Sequence, residues 1–403
     1  MFRFITAGES HGPALTVILE GLPAGLPVDF EALNNELARR QRGYGRGARM
    51  KIEKDRVEVQ GGIRNGKTTG GPICLRIQNR DWDNWKHKLS PDPADNTDSA
   101  PELFNPRPGH ADLAGALKYG VEEFRDILER SSARETTARV AAGAVAKQFL
   151  EYLGCRIRSH VTGIGSVNRS AEAPNVKWDE VLAIPEDSPL NCADTKLERE
   201  MMDAIDSATK QRDTLGGTIE VVAHFPPPGL GSFTQWDRKL DGRLARAMMS
   251  IPAMKAVGIG RGADSARLAG SELHDEIFYS SPEGLQRKTN NAGGLEGGVT
   301  NGEEVRATLY MKPLSSLRKP LRSVDIRSTK PIAAAKVRSD ICAVPAAGVV
   351  AESMMALTLA EDALEKFGGD SLEETLTNYR SHMKRIGGIL KKKNSELRTQ
   401  NSE

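Results

Sequence analysis

The sequence predicts an α+β fold in one large domain, with antiparallel sheets and interspersed helices, and three observations carry that expectation. Strand-like runs alternate apolar and polar residues, as in Arg56-Val57-Glu58-Val59-Gln60 and Gly217-Thr218-Ile219-Glu220-Val221-Val222, which suits half-buried antiparallel strands. Helical periods interrupt these runs without the strict strand-helix alternation of a parallel sheet. Hydrophobic residues are spread along all 403 positions with no low-complexity linker, so one domain or two intimate halves is expected.

Taken in order, Met1 to Thr6 reads as a short apolar strand and lacks the long apolar run of a signal peptide. Leu33 and Leu37 suggest a helix before an arginine cluster. Pro91, Pro93, Pro101, Pro106 and Pro108 make Ser90 to Pro108 a long irregular loop. The clearest helix opens on Ser132-Ala133-Arg134-Glu135, a capping-box pattern, and runs through Val140, Ala141, Val145, Phe149 and Leu153 to Gly154. A further helix over Val349 to Leu364, rich in Ala, Met and Leu, is expected to be buried on several sides. The single domain is placed at residues 1–386, and 387–403, polar and without a sustained apolar period, reads as a frayed tail.

One internal echo stands out. Gly61 to Gly70 matches Gly293 to Gly302 at the paired glycines, the third glycine, the threonine and the last glycine. Duplicated halves and the shared demands of tight turns both account for it.

The formal net charge is +2, which gives no reason for general attachment to nucleic acid or membrane, so anion recognition must be local. Cys74, Cys155, Cys192 and Cys342 lack the short spacing of a zinc or redox motif and read as reduced thiols, with no metal expected. No stretch approaches the roughly 18 apolar residues of a membrane span, and a cytoplasmic location is expected.

Two glycine patterns invite nucleotide readings. Gly61 to Thr68 satisfies the phosphate-loop spacing, but the preceding strand alternates and Gly70-Gly71-Pro72 blocks the following helix. Gly258-Ile259-Gly260-Arg261-Gly262-Ala263 is a loose dinucleotide fingerprint with Asp275 or Glu276 downstream, which keeps an NAD(P)-dependent Rossmann oxidoreductase as an alternative.

Other motifs carry chemistry. Gly8-Glu9-Ser10-His11-Gly12 puts a histidine where a strand gives way to a flexible loop, a position that suits catalysis or a structural hydrogen bond. Arg39 to Arg49 is dense in guanidinium groups suited to phosphate and carboxylate, or equally to solvent or RNA, although Tyr44 alone is poor for base stacking. Arg107-Pro108-Gly109-His110-Ala111-Asp112 ends the proline-rich loop at a helix start, and Arg130 to Thr136 opens the clearest helix, where anions are favoured. Arg338-Ser339-Asp340 precedes a small-residue helix, with structural ion pairing as the competing role.

Gly8 to Gly12, Arg130 to Thr136 and Arg338 to Ala346 stand in order as the three signatures of the chorismate synthase family, which the sequence resembles. Asp213 to Gly217, Gly293 to Gly298 and Met311-Lys312-Pro313 extend the likeness to about Gly368. The resemblance implies a β-α-β sandwich, a homotetramer and a lyase that makes chorismate from 5-enolpyruvylshikimate 3-phosphate with reduced FMN. It makes His11 the donor to the leaving phosphate, sets His110 beside the flavin, and makes Asp340 a base relaying a flavin proton. Ser10, Arg40, Arg46, Arg49, Arg107, Arg134 and Arg338 are the candidates for substrate, with Arg40 and Arg46 open to NADPH as reductant. The implied flavin contacts are Ser132, Ala133, Arg134, Pro252, Ala253, Gly297, Lys312, Pro313, Leu314, Ser315, Ser316 and Arg338. Ser316 stands where the family pattern has threonine, and Ser166 to Asp194 matches no family motif.

Overall fold

The computed structural model describes residues 1–47, 53–170, 173, 175–280, 284–336 and 340–390. Arg49 and Arg338 lie outside the described residues. The strands are β1 (Arg3–Ala7), β2 (Ala14–Glu20), β3 (Val57–Gly61), β4 (Ile73–Gln78), β5 (Arg156–Ile164), β6 (Gly217–His224), β7 (Met254–Ile259) and β8 (Val305–Met311), besides short hairpins. The longer helices are α1 (Phe30–Gln41), α2 (Asp112–Tyr119), α3 (Arg125–Ser131), α4 (Thr136–Glu151), α5 (Thr195–Gln211), α6 (Leu240–Met249), α7 (Val344–Phe367) and α8 (Leu372–Leu390).

All main pairings are antiparallel, as the alternating patterns require. One sheet has the order β1-β2-β4-β3, and the other β5-β6-β8-β7 with Val167–Asn168 added outside β5. On β2 and β4 the inward residues Leu15, Val17, Leu19, Ile73, Leu75 and Ile77 are buried, each contributing roughly 1.5–3 kcal/mol. These strands rest on α4, while β5 and β6 rest on α7, and α4 packs along α7. Gly143 permits that closeness: a Cβ there would stand 2.3 Å from Ser353 Cβ. Helix α7 is buried nearly all round, so its apolar length belongs to the core and not to a membrane.

A knot of charge sits within the helical layer. Glu352 of α7 receives both Arg39 Nη atoms at 2.8 Å, together with Lys147 Nζ and the Ser159 backbone N–H and hydroxyl at 2.9 and 2.7 Å. Glu36 shares Arg39 and Lys147. Four elements, α1, α4, β5 and α7, are thereby fixed together, and with them the direction in which neighbouring Arg40 leaves α1.

Several expectations are corrected. The Ser132 box is only half made: Ser132 Oγ accepts from Arg134 N at 3.3 Å, but Glu135 turns to Thr6 Oγ1 and Arg139, and a 3-10 turn, Ala133–Glu135, precedes α4. Strand β6 is not half-buried, since Val222 on its second face is fully covered. The cover comes from the stretch that had no assigned role: Arg306 donates to Val176 O at 2.7 Å, and Trp178 stacks on His224 with centroids 4.7 Å apart. Helix α8 had no sequence forecast and continues through Gly387-Gly388 to Leu390, glycine costing only about 1 kcal/mol in a helix interior.

The echoing glycine segments adopt equivalent hairpins, Ile63–Arg64 with Lys67–Thr68 and Leu295–Glu296 with Val299–Thr300. Their threonines make matching bonds. Thr68 Oγ1 donates to Pro23 O at 2.6 Å and accepts from Leu26 N, and Thr300 Oγ1 donates to Pro227 O at 2.7 Å and accepts from Leu230 N. The phosphate-loop spacing therefore marks a hairpin with no helix after it. The dinucleotide-like glycines begin inside β7, an antiparallel strand at a sheet edge, and lead into a 3-10 turn.

Candidate active site

The loop between β1 and β2 is held from below by residues far away in sequence. Arg130, in the last turn of α3, donates to Gly8 O at 3.0 Å and to Thr6 O at 2.9 Å. Asn79, just past β4, donates to Glu9 O at 3.1 Å and Gly12 O at 2.7 Å. Ser10 is buried, with its N–H on Glu129 O at 3.0 Å. His11 meets Glu129 through Nδ1 at 2.9 Å and through its backbone N–H at 2.7 Å, and its ring lies 4.4 Å from Trp85. Burial pushes the Glu129 carboxyl up, but the hydrogen bonds and charge of His11 and the charge of Arg125 outweigh it and hold that group below its ordinary value.

From Asn79 a polar chain continues inward. Arg134 Nε donates to Asn79 Oδ1 at 2.9 Å, and its Nη1 reaches both Asp55 oxygens at 2.6 and 2.8 Å. Arg40 Nη2 reaches the same carboxylate at 3.2 Å, and Glu53 lies 3.5 Å from Arg134. All four side chains are buried. Burial, with Arg134 and Arg46 nearby, lowers the Arg40 guanidinium to about 10 despite Asp55, so it keeps its proton at neutral pH. Arg46 pairs with Asp340 at 2.9 Å, and Gly47 N donates to Asp340 Oδ1 at 2.6 Å. The His11 loop, Arg134 and Arg40 are thus joined through Asn79 and Asp55, and the Arg46–Asp340 pair stands close enough for the Arg46 charge to act on Arg40. Arg40 Nε, buried, has no hydrogen-bond partner among the described residues, which is the state expected of a donor awaiting an anion, while Arg134 Nη2 has the Glu53 carboxylate 3.5 Å away.

A second group forms at the N-terminus of α2. Arg107 binds Asp112 through Nε at 2.8 Å and Nη2 at 2.9 Å, and Ser316 Oγ through Nη1 at 2.9 Å. His110 Nδ1 lies 2.6 Å from Asp112 Oδ1. Burial would raise the Asp112 carboxyl, yet Arg107 and His110 hold it well below its ordinary range. Beside this group opens a cavity of about 680 Å³ lined by Gly109, Thr214, Leu215, Lys312, Pro313, Leu314, Ser315, Leu317 and Leu321. Ser315 Oγ donates to Gly109 O at 2.8 Å, and Lys312 N donates to Ala253 O at 3.0 Å. Ala253 holds φ at 70°, a conformation rare outside glycine and typical of functional turns.

The predicted residues therefore fall into three places. Ser10, His11, Arg40, Arg46, Ser132, Ala133, Arg134 and Asp340 cluster in the first assembly or border it. His110, Arg107, Ala253 with neighbouring Pro252, and Lys312 to Ser316 gather around the cavity. Gly297, at the tip of its hairpin, is joined to neither; a Cβ there would meet only Phe233, at 3.8 Å. Sequence reasoning missed Glu53, Asp55, Asn79, Trp85, Asp112 and Glu129. Asp112 and Glu129 stand inside or next to quoted motifs, while Asp55 and Asn79 carry no local signal.

The family model for chorismate synthase matches residues 2–364. The chain belongs to the chorismate synthase family. It is 53% identical over 388 residues to the chorismate synthase of Symbiobacterium thermophilum, covering 95% of this chain and 99% of that one. The Geobacter sulfurreducens chorismate synthase is 51% identical, with 96% and 99% covered. A crystal structure of chorismate synthase superimposes with TM-score 0.77 at 41% identity, covering 96% of this chain and 98% of that chain. The chain is accordingly an enzyme, a lyase that removes phosphate from 5-enolpyruvylshikimate 3-phosphate to give chorismate. The alternatives gain no support: Arg39 and Arg40 are committed to internal carboxylates rather than offered to RNA.

Proposed function

We propose that the phosphate is eliminated against the His11 assembly, with reduced FMN held in and around the neighbouring cavity. The observation that carries this reading is the chain from the His11 loop through Asn79, Arg134, Asp55 and Arg40, whose guanidinium groups are fixed by carboxylates while Arg40 Nε stays a donor in reserve. Fixed donors need no reorganisation when charge develops, so they favour departure of a phosphate. Arg40, Arg46, Arg134, Arg107, Arg49, Arg338 and Ser10 take the substrate's anionic groups, and His11 protonates the leaving oxygen. Asp340, oriented by Arg46 and Gly47, takes up the proton that completes the reaction.

The cavity fits a flavin: its size lies in the range of cofactor sites, and apolar Leu215, Pro313, Leu314, Leu317 and Leu321 are joined by Lys312 and Ser315 as polar contacts. When bound, reduced flavin supplies electron density as phosphate departs and takes it back, which a C–H bond not activated by a carbonyl requires. Lys312 to Ser316, Pro252, Ala253, Ser132 to Arg134, Arg338 and Gly297 would hold the group, and His110, anchored by Asp112, would stabilise its charge or tautomer. NADPH is the reductant where the chain reduces its own flavin, and Arg40 and Arg46 are then its alternative phosphate contacts.

The reading extends to assembly. One core running from Phe2 to Leu372 supports a single catalytic domain over residues 1–386, which α8 extends to Leu390; the remainder of the expected tail, 391–403, lies outside the described residues. The matching sheet orders and paired threonine bonds support duplicated halves stacked as a β-α-β sandwich. A homotetramer gives Gly297 a route to a neighbouring copy's site, and the exposed Phe233 and Trp236 beside its hairpin support burial there. The location is cytoplasmic.

Phosphate release from 5-enolpyruvylshikimate 3-phosphate tests the reading. Chemically reduced FMN without oxygen is expected to support turnover, and oxidised FMN with NADPH is expected to do so if the chain reduces its own flavin. Absence of release with reduced FMN overturns the proposal.

A further inference from the structure

We infer that Glu129 is the positioning residue of His11, fixing the ring so that a single nitrogen, Nε2, exchanges the proton. The inference rests on the reading of His11 as the donor to the leaving phosphate. Glu129 stands in the last turn of α3 and grips the loop at three points: its Oε1 lies 2.9 Å from His11 Nδ1, its Oε2 accepts the His11 backbone N–H at 2.7 Å, and its carbonyl accepts the Ser10 N–H at 3.0 Å. An ionised carboxylate only accepts hydrogen bonds, so Nδ1 must carry hydrogen in both the neutral and the charged ring. Proton exchange is then confined to Nε2, and the ring cannot swap tautomers as it works.

The surroundings keep Glu129 ionised and in place. Its side chain is 4% exposed, and Arg125 Nη1 lies 3.5 Å away one helical turn back. Arg125 is itself tied to the proline-rich loop by a 2.7 Å bond to Pro101 O and lies over the Trp85 ring, with Cζ 5.4 Å from the centroid. Trp85 covers the other side of His11. The imidazole is therefore bounded by a carboxylate at one nitrogen and an indole on its face, an arrangement that sets both its direction and its tautomer.

A double-mutant cycle separates positioning from plain scaffolding. Turnover is measured anaerobically with chemically reduced FMN for wild type, Glu129→Gln, His11→Ala and the double variant, with imidazole nitrogen NMR of the resting protein alongside. Glu129→Gln is expected to lower kcat on the order of 10²-fold, within the range that general acid catalysis supplies, with KM little changed. The same change on the His11→Ala background is expected to cost nothing further, and the His11 ring in Glu129→Gln is expected to lose its uniform Nδ1–H tautomer. Equal losses on both backgrounds, or a ring tautomer unaffected by Glu129→Gln, overturn the positioning role while leaving the His11 reading standing. Undiminished turnover in His11→Ala overturns both. Glu129→Asp keeps the charge but withdraws it by one methylene, and carries the same cycle if Glu129→Gln does not fold.

Discussion

Replacing Glu352 by alanine is expected to destabilise the fold by about 3–5 kcal/mol, because removing one partner of a buried ion pair leaves the other uncompensated. Here Arg39 and Lys147 lose their shared carboxylate, the Ser159 N–H and hydroxyl lose their acceptor, and only Glu36 still faces the two cations. The same residue sets a pH dependence. Burial alone would raise the Glu352 carboxyl, but Arg39 and Lys147 hold it well below its ordinary 4.5. A depressed carboxylate contributes stability that is present above that ordinary value and lost as pH falls towards the folded one. Urea unfolding at neutral and acidic pH checks both statements: the gap between wild type and Glu352→Ala is expected to narrow in acid. A gap of the same size at both pH values would contradict the pairing.

His11→Ala is expected to lower turnover by roughly 10²- to 10⁴-fold, the range lost with a general acid, while the protein still folds and binds flavin. The loop keeps its course because the backbone bond to Glu129 and the Asn79 bonds to Glu9 and Gly12 do not involve the imidazole, and Arg125 still faces the Glu129 carboxylate that loses its His11 partner. Anaerobic turnover, compared with thermal unfolding and flavin binding, separates the two effects. Wild-type turnover in this variant would remove His11 from the mechanism.

The parts of this molecule that sequence revealed are those written locally. Alternation along β3 and the helical periods of α1, α4 and α7 depend on neighbouring residues, so they could be read directly. The outer cover of β6 could not, because Val176 and Trp178 reach it only through tertiary contact, which turned an apparently solvated face into a buried one. Glu135 likewise satisfied the local capping pattern but found stronger partners in Arg139 and in Thr6, far along the chain.

The site divides in the same way. His11, Arg40, Arg134 and Asp340 were visible as residue types within ordered motifs. Their supports were not: Asp55 joins Arg40 and Arg134 across 15 and 79 positions, and Asn79 meets Arg134 across 55. A single aspartate before a strand or an asparagine after one has no pattern that announces such a role. The arginine cluster illustrates the consequence, since in sequence it resembled a solvated basic loop, whereas Arg39 and Arg40 are fixed by internal carboxylates.

Crystals grown with 5-enolpyruvylshikimate 3-phosphate and oxidised FMN would show most directly whether one cleft joins these groups. The expected result is the substrate phosphate facing the His11 ring, with its anionic oxygens accepting from the Arg40 and Arg134 guanidinium groups. Substrate bound with its phosphate away from His11 and with neither arginine in contact would contradict the assignment of this assembly as the place where phosphate leaves.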